Sequence, residues 1–236
     1  NIDAVIGDGG QNNLLIGQNA DATWDISGAD DGTYDSTNTL TWTDFGNLTG
    51  GSLEDEFEFG AGGSLSGNVD GQAGTDTLDY SSVAGAIAVT LDALGLTDGF
   101  AGNAGSATNI TGTFDDIDDL VGNATTATNT LTGQAVVAAF WNIAGVDDGI
   151  YTATNTLTWT DFGNLTGNTN DDEFDFADAG SLTGAIIGGA GVDTVTGDDD
   201  GNAFSIDGAG SGALTGKTTG WSGIENLIGG TGDDSF

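Results

Sequence analysis

Residues Trp24–Asp76 recur without a gap as Trp141–Asp193, and every equivalent pair lies 117 positions apart. Inside the block, TNTLTWTDFGNLTG is identical at Thr37–Gly50 and Thr154–Gly167. A match of this length comes from duplication, and duplicated segments fold as repeated units that bury their apolar faces on one another. A smaller unit lies inside the large one. The pattern Ile/Phe-x-x-Leu/Val-x-Gly starts at Ile2, Phe45, Ile117, Phe162 and Ile224. Asp55 to Asp76 is 21 residues, as is Asp172 to Asp193, and Asp193 to Asp234 is 41.

A step of roughly 20 residues suits one coil of a β-solenoid. Segments such as Glu56-Phe57-Glu58-Phe59 and Thr75-Asp76-Thr77-Leu78 alternate polar with apolar, as strands with one wet face do. Gly, Asn and Asp between them supply corners with φ > 0. Ser81–Leu96 is the one window with helical character, and its Val83, Ile87 and Val89 favour strand. The absence of Pro agrees, because a strand paired on both sides uses its N–H. The expected fold is all-β: a right-handed parallel β-helix of roughly 20-residue coils. It forms one continuous solenoid over 1–236, with duplicated blocks at approximately 13–129 and 130–236.

The formal charge is -36, from 37 Asp and Glu against the single basic side chain Lys217. Such a chain repels nucleic acid and anionic membranes, having almost nothing to neutralise a phosphate. Acidity with modest hydrophobicity often means disorder, but 11 Phe, 5 Trp and 3 Tyr in periodic β-branched surroundings argue for a packed core. No run approaches the ~18–20 apolar residues of a membrane span. With no Arg, His or Cys, a solenoid lacks the groups that would hold a uronate or act as nucleophile. Asp and Glu in repeated positions mark scaffold, so no enzyme is expected.

Three loops read Gly-x-x-Gly-x-Asp: Gly71–Asp76 with Gly74, Gly188–Asp193 with Gly191, and Gly229–Asp234 with Gly232. They resemble the calcium-binding nonapeptide of RTX proteins, with Leu78, Val195 and Phe236 in the large apolar slot. The resemblance implies calcium ligation by Asp76, Asp193 and Asp234, the glycines letting loop carbonyls converge on the ion. Loops Gly50–Asp55 and Gly167–Asp172 are degenerate copies that bring Asp55 and Asp172 into the same candidate metal set. The alternative is that these are good turns with diffuse counterions. The wider layout resembles the repeat regions of giant secreted bacterial surface proteins, the RTX-adhesin and filamentous-haemagglutinin-like class. That resemblance implies a β-helical shaft outside the cell.

Four tryptophans, Trp24, Trp42, Trp141 and Trp159, pair at the repeat period, and Trp221 stands apart. They read as a core ladder, or else as glycan platforms. Thr37, Thr39, Thr41 and Thr43 alternate along one strand, as do Thr154, Thr156, Thr158 and Thr160; β-propensity explains this more simply than ice binding. Sequons at Asn47, Asn109, Asn123 and Asn164 leave glycosylation open. The functional expectation is a structural segment of an extracellular filament or cell-surface adhesin stalk, stabilised by cations. The alternative is a calcium-dependent glycan- or ice-binding module. Both termini fall in mid-motif, so coil-on-coil contact is expected across Phe236 and Asn13–Ile16, between copies or within a longer chain.

Overall fold

The computed structural model describes residues 2–9, 13–104, 109–124 and 129–236. Contacts gather into two compact units, Asn1–Thr125 and Thr126–Phe236. The described residues form strands and turns, with no helix among them.

The first unit has two runs of hydrogen-bonded strands. One passes in order through Ala4–Ile6, Thr39–Thr43, Asp31–Asp35, Ala22–Gly28, Asp55–Phe59, Thr77–Asp79 and Asp119–Val121. The other passes through Leu14–Ile16, Asn47–Thr49, Val69–Asp70, Phe114–Ile117, Phe100–Asn103 and Ala88–Leu94. The second unit repeats the plan. Thr156–Thr160, Asp148–Thr152, Phe140–Ile143, Glu173–Phe176, Thr194–Thr196 and Asn226–Ile228 make one run. Thr130–Thr132, Asn164–Asn168, Ala185–Gly189, Gly220–Ser222, Ser211–Leu214 and Phe204–Gly208 make the other.

Within each unit, parallel pairing lines up the apolar positions that alternation assigns to one face. Trp24 lies beside Phe57, Phe57 beside Leu78, and Leu78 beside Leu120. In the second unit Trp141, Phe174, Val195 and Leu227 follow in the same way. Trp24 stacks on Phe57 with centroids 5.6 Å apart and planes at 16°, and Trp141 on Phe174 at 5.6 Å and 15°. Contacts of this kind add roughly 0.5–1.5 kcal/mol each beyond burial. The opposite run supplies Leu48, Val69 and Phe114 in one unit, and Leu131, Leu165, Ile186 and Trp221 in the other. All five tryptophans are buried, which places them in the core and off the surface.

The stack departs from a uniform coil. Phe57 and Leu78, Leu48 and Val69, Phe174 and Val195, and Leu165 and Ile186 are parallel partners 21 residues apart. Trp24 and Phe57 are 33 apart, Val195 and Leu227 are 32, and Val69 and Phe114 are 45. The additional residues form antiparallel three-stranded meanders where a simple coil was expected. One is Ala22–Gly28, Asp31–Asp35 and Thr39–Thr43, and its duplicate is Phe140–Ile143, Asp148–Thr152 and Thr156–Thr160. Two more lie in the opposite runs, Ala88–Leu94 with Phe100–Asn103 and Phe114–Ile117, and Phe204–Gly208 with Ser211–Leu214 and Gly220–Ser222.

Each meander has the same internal device. The middle strand carries a glycine directly opposite a large aromatic of the third strand: Gly32 and Trp42, Gly149 and Trp159, Gly212 and Trp221, Gly102 and Phe114. A Cβ on Gly32 would overlap the Asp25 carbonyl and sit 2.6 Å from Trp42 Cζ2. The ring therefore lies across the backbone of the middle strand, covering a glycine that would otherwise leave a hole. The hairpin turns into these strands use Asp30 (φ 58°) and Asp147 (φ 57°), Asp tolerating the left-handed region.

Gly32→Ala should destabilise by about 1–3 kcal/mol, because neither backbone nor indole can retreat. Gly62→Ala, whose nearest atom would be Ser27 O at 3.8 Å, should stay within about 0.5 kcal/mol of wild type. Urea unfolding of the two variants checks this; equal midpoints would contradict the ring-over-glycine packing.

Candidate functional site

Asp55, Asp76, Asp172 and Asp193 stand at the lips of strands, each immediately before or at a strand start, and Asp234 precedes the isolated bridge of Ser235. Stacking two strands in register brings the N–H of one lip residue under the side chain of the next. Asp76 N donates to Asp118 Oδ2 at 3.2 Å, and Asp55 N donates to Asp76 Oδ1 at 2.9 Å. Asp55 in turn accepts from Trp24 Nε1 at 3.0 Å and Gly51 N at 2.6 Å. In the second unit Asp193 N donates to Glu225 Oε2 at 2.9 Å and Asp172 N to Asp193 Oδ1 at 2.8 Å. Ala139 N donates to Asp172 Oδ1 at 2.8 Å, and Asn202 N to Asp234 Oδ1 at 2.9 Å. The carboxyls thus form a ladder, each capping a backbone donor on a neighbouring rung.

The motif glycines make room for that ladder. A Cβ on Gly71 would lie 2.6 Å from Asp76 Oδ2, and one on Gly188 2.6 Å from Asp193 Oδ2. Gly50, Gly167 and Gly229 stand in the same relation to Asp55, Asp172 and Asp234. The second glycine serves loop-on-loop contact. Gly74 (φ 141°) and Gly191 (φ 138°) would each place a Cβ 2.6 Å from a carbonyl of the rung before, Leu53 O and Asn170 O, and Gly232 presses on Asp200 O.

Asp55, Asp76, Asp172 and Asp193 are buried, and Oδ2 of the last three has no hydrogen-bond partner among the described residues. Burial, with like charges behind it, pushes Asp76 up to about 8 and Asp172 to about 7. Asp118 rises to about 6, and Asp55 and Asp193 are raised as well, burial leading in each. Desolvation disfavours the bare anion, so each of these groups binds a proton more tightly than an exposed carboxylate does. Asp198 goes the other way. Burial alone would raise it, but Lys217, 2.5 Å away, holds it below its usual value.

Among the described residues, two groups of carboxylates could hold a metal ion. Asp76, Asp98 and Asp118 bring oxygens within 4.8 Å of one another, as do Glu56, Glu58 and Asp79. Of the residues proposed from the loops only Asp76 falls in such a group; Asp55, Asp172, Asp193 and Asp234 stand in the ladder outside them. Asp118, Glu225 and Asp98 were not singled out from the sequence. A signal existed for the first two. Motif copies in one run carry an acid after Ile, as in Ile117-Asp118 and Ile224-Glu225, whereas FGNLTG carries Gly.

The remaining surface motifs are also engaged. Thr41 continues across the first unit as Thr33, Asp25, Glu58 and Asp79, so the threonine row runs into carboxylates. The sequon amides donate to backbone carbonyls: Asn47 to Asn13 O at 3.2 Å, Asn109 to Gly63 O at 2.5 Å, Asn123 to Val83 O at 2.7 Å and Asn164 to Asn129 O at 3.2 Å.

The raised acids set the direction of pH dependence. A carboxyl near 3.8 unfolded and about 7 folded stabilises fully below the lower value, and that stabilisation is lost as pH rises through the folded value. The chain should therefore melt higher at pH 5 than at pH 8 at constant ionic strength. Asp172→Asn, which keeps an acceptor for Ala139 N, should flatten the difference. A wild-type chain that melts higher at pH 8 would contradict it. Neither any family model nor any curated protein matches the chain, so a functional reading rests on these residues themselves.

Proposed function

We propose that the chain is a structural segment of an extracellular filament or cell-surface adhesin stalk, acidic and stabilised by cations such as calcium. One observation carries this reading: the residues best suited to chemistry recur from rung to rung and are engaged in holding one rung to the next. Asp55, Asp76 and Asp118 cap N–H groups along one unit, and Asp172, Asp193 and Glu225 do so along the other. The aromatics stack in the core, and the motif glycines permit loop stacking. A protein selected for binding or turnover concentrates unusual residues in one cleft, whereas this one distributes the same residues over successive levels. Right-handed coiling and growth by rungs of roughly 20 residues belong to the same proposal. So does end-to-end association. Ile2, Ile6, Leu14 and Ile16 in one unit and Phe236 in the other are exposed, and each offers apolar area to a further rung.

The test is location. An antibody raised against the purified chain should label the surface of intact source cells, and brief external protease should remove that label. Signal that appears only after permeabilisation would overturn the extracellular reading.

A further inference from the structure

The two units are alike in their ladders but differ beside Asp76. In the first unit the hairpin between Leu91 and Gly102 spans ten residues; the equivalent hairpin in the second, between Ile206 and Gly212, spans five. The register fixes the equivalence, since Gly102 faces Phe114 as Gly212 faces Trp221. The additional residues include Asp98. Thr97 N and Asp98 N donate to Asp116 Oδ1 at 2.7 and 3.2 Å, which folds the loop tip back, and Gly74 N lies 3.4 Å from Asp98 Oδ2.

We propose that Asp76, Asp98 and Asp118 form a specific site for a divalent cation of calcium's size, built by this longer hairpin and present in the first unit only. Asp76 is 0% exposed and its Oδ2 has no partner among the described residues, and Asp98 Oδ1 is likewise buried and unpartnered. Two buried acceptors without donors, in a group whose oxygens lie within 4.8 Å of one another, require either protons or a cation. The chain has no internal cation to give: its one basic side chain is Lys217, which pairs with Asp198 in the second unit. Three carboxylates offer hard oxygen ligands, which suit a hard divalent cation such as calcium better than a soft one, with water completing its shell. The Glu56, Glu58 and Asp79 group differs, lying half-exposed on the strand face. In the second unit Glu225 takes the place of Asp118 under Asp193, and the one acid of the short hairpin, Asp207, joins no such group among the described residues.

This inference deepens the cation part of the proposed function. Calcium chloride titrated calorimetrically into the chelator-treated chain, at about 150 mM NaCl to suppress diffuse counterions, should show one saturable site per chain. Asp98→Asn, which keeps an oxygen for Gly74 N, should weaken it at least about tenfold, and Asp118→Asn likewise. Asp207→Asn, in the short hairpin, should leave it unchanged. Circular dichroism establishes that each variant is folded. Saturable binding that survives Asp98→Asn, or that is abolished by Glu56→Gln with Glu58→Gln, overturns this site while keeping the cation reading. No saturable heat in the wild-type chain overturns both and leaves the filament reading standing.

Discussion

When parallel strands are stacked level upon level, the residue at the lip of each strand has an N–H that the sheet ladder does not reach. Left bare in a buried corner it would cost about 1–3 kcal/mol. This chain answers at every level with an oxygen from the neighbouring lip. Asp76 serves Asp55, Asp118 serves Asp76, Asp193 serves Asp172, and Glu225 serves Asp193. The requirement is for an acceptor at one position, repeated at the spacing of the rungs. Much else follows from it. The first motif glycine must lack a Cβ, the carboxyl must be buried, and burial must raise its affinity for a proton or a cation.

The second constraint is filling. Rung lengths vary because meanders interrupt the stack, and a meander places a strand between two others that would otherwise pack side chain on side chain. A glycine in the middle strand under a Trp or Phe of the third keeps the interior thickness constant. The aromatic supplies the volume that the glycine lacks, and the backbones stay close enough to pair. The same solution occurs in both runs of strands and under Phe114 as well as under tryptophan, so it answers a local packing requirement.

Much of the fold was legible. Alternation placed Phe57, Leu78, Phe174 and Val195 inside, the 21-residue spacing of Asp55 and Asp76 matched a parallel register, and within Ser81–Leu96 the strand covers Ala88–Leu94 while Ser81–Ile87 is turn and irregular. The meanders were not legible, because a strand alternates with period two whether its neighbour is parallel or antiparallel. Thr39–Thr43 looks like a coil strand until its partner Asp31–Asp35 is seen. The Gly/Asp loops showed where the acids cluster but not their depth. A Gly-x-x-Gly-x-Asp string fits an open ligand loop as well as a corner packed on its neighbour. Asp98 was beyond reach, since its approach to Asp76 depends on a hairpin register that no local pattern encodes.

Setting the two units side by side shows which parts of the ladder they share. Asp118 and Glu225 differ by a methylene, yet both accept the N–H of the lip residue beside them. Asp55 receives an indole N–H where Asp172, its duplicate, receives the backbone of Ala139. The acceptor is retained while its donor and reach vary, as expected where only an oxygen at the lip is required. Charge compensation has diverged further. The second unit sets Lys217 against Asp198, and that lysine also donates to the Asp178 carbonyl at 2.8 Å. The first unit has no basic side chain at all, and there three carboxylates meet. A protein carrying -36 cannot leave such a meeting uncompensated without cost, and the physics allows three remedies: protonation, a lysine, or an ion from outside. The second unit uses the lysine at Asp198. The first has no lysine to offer, so compensation for Asp76, Asp98 and Asp118 comes from the protons or ions of the solution.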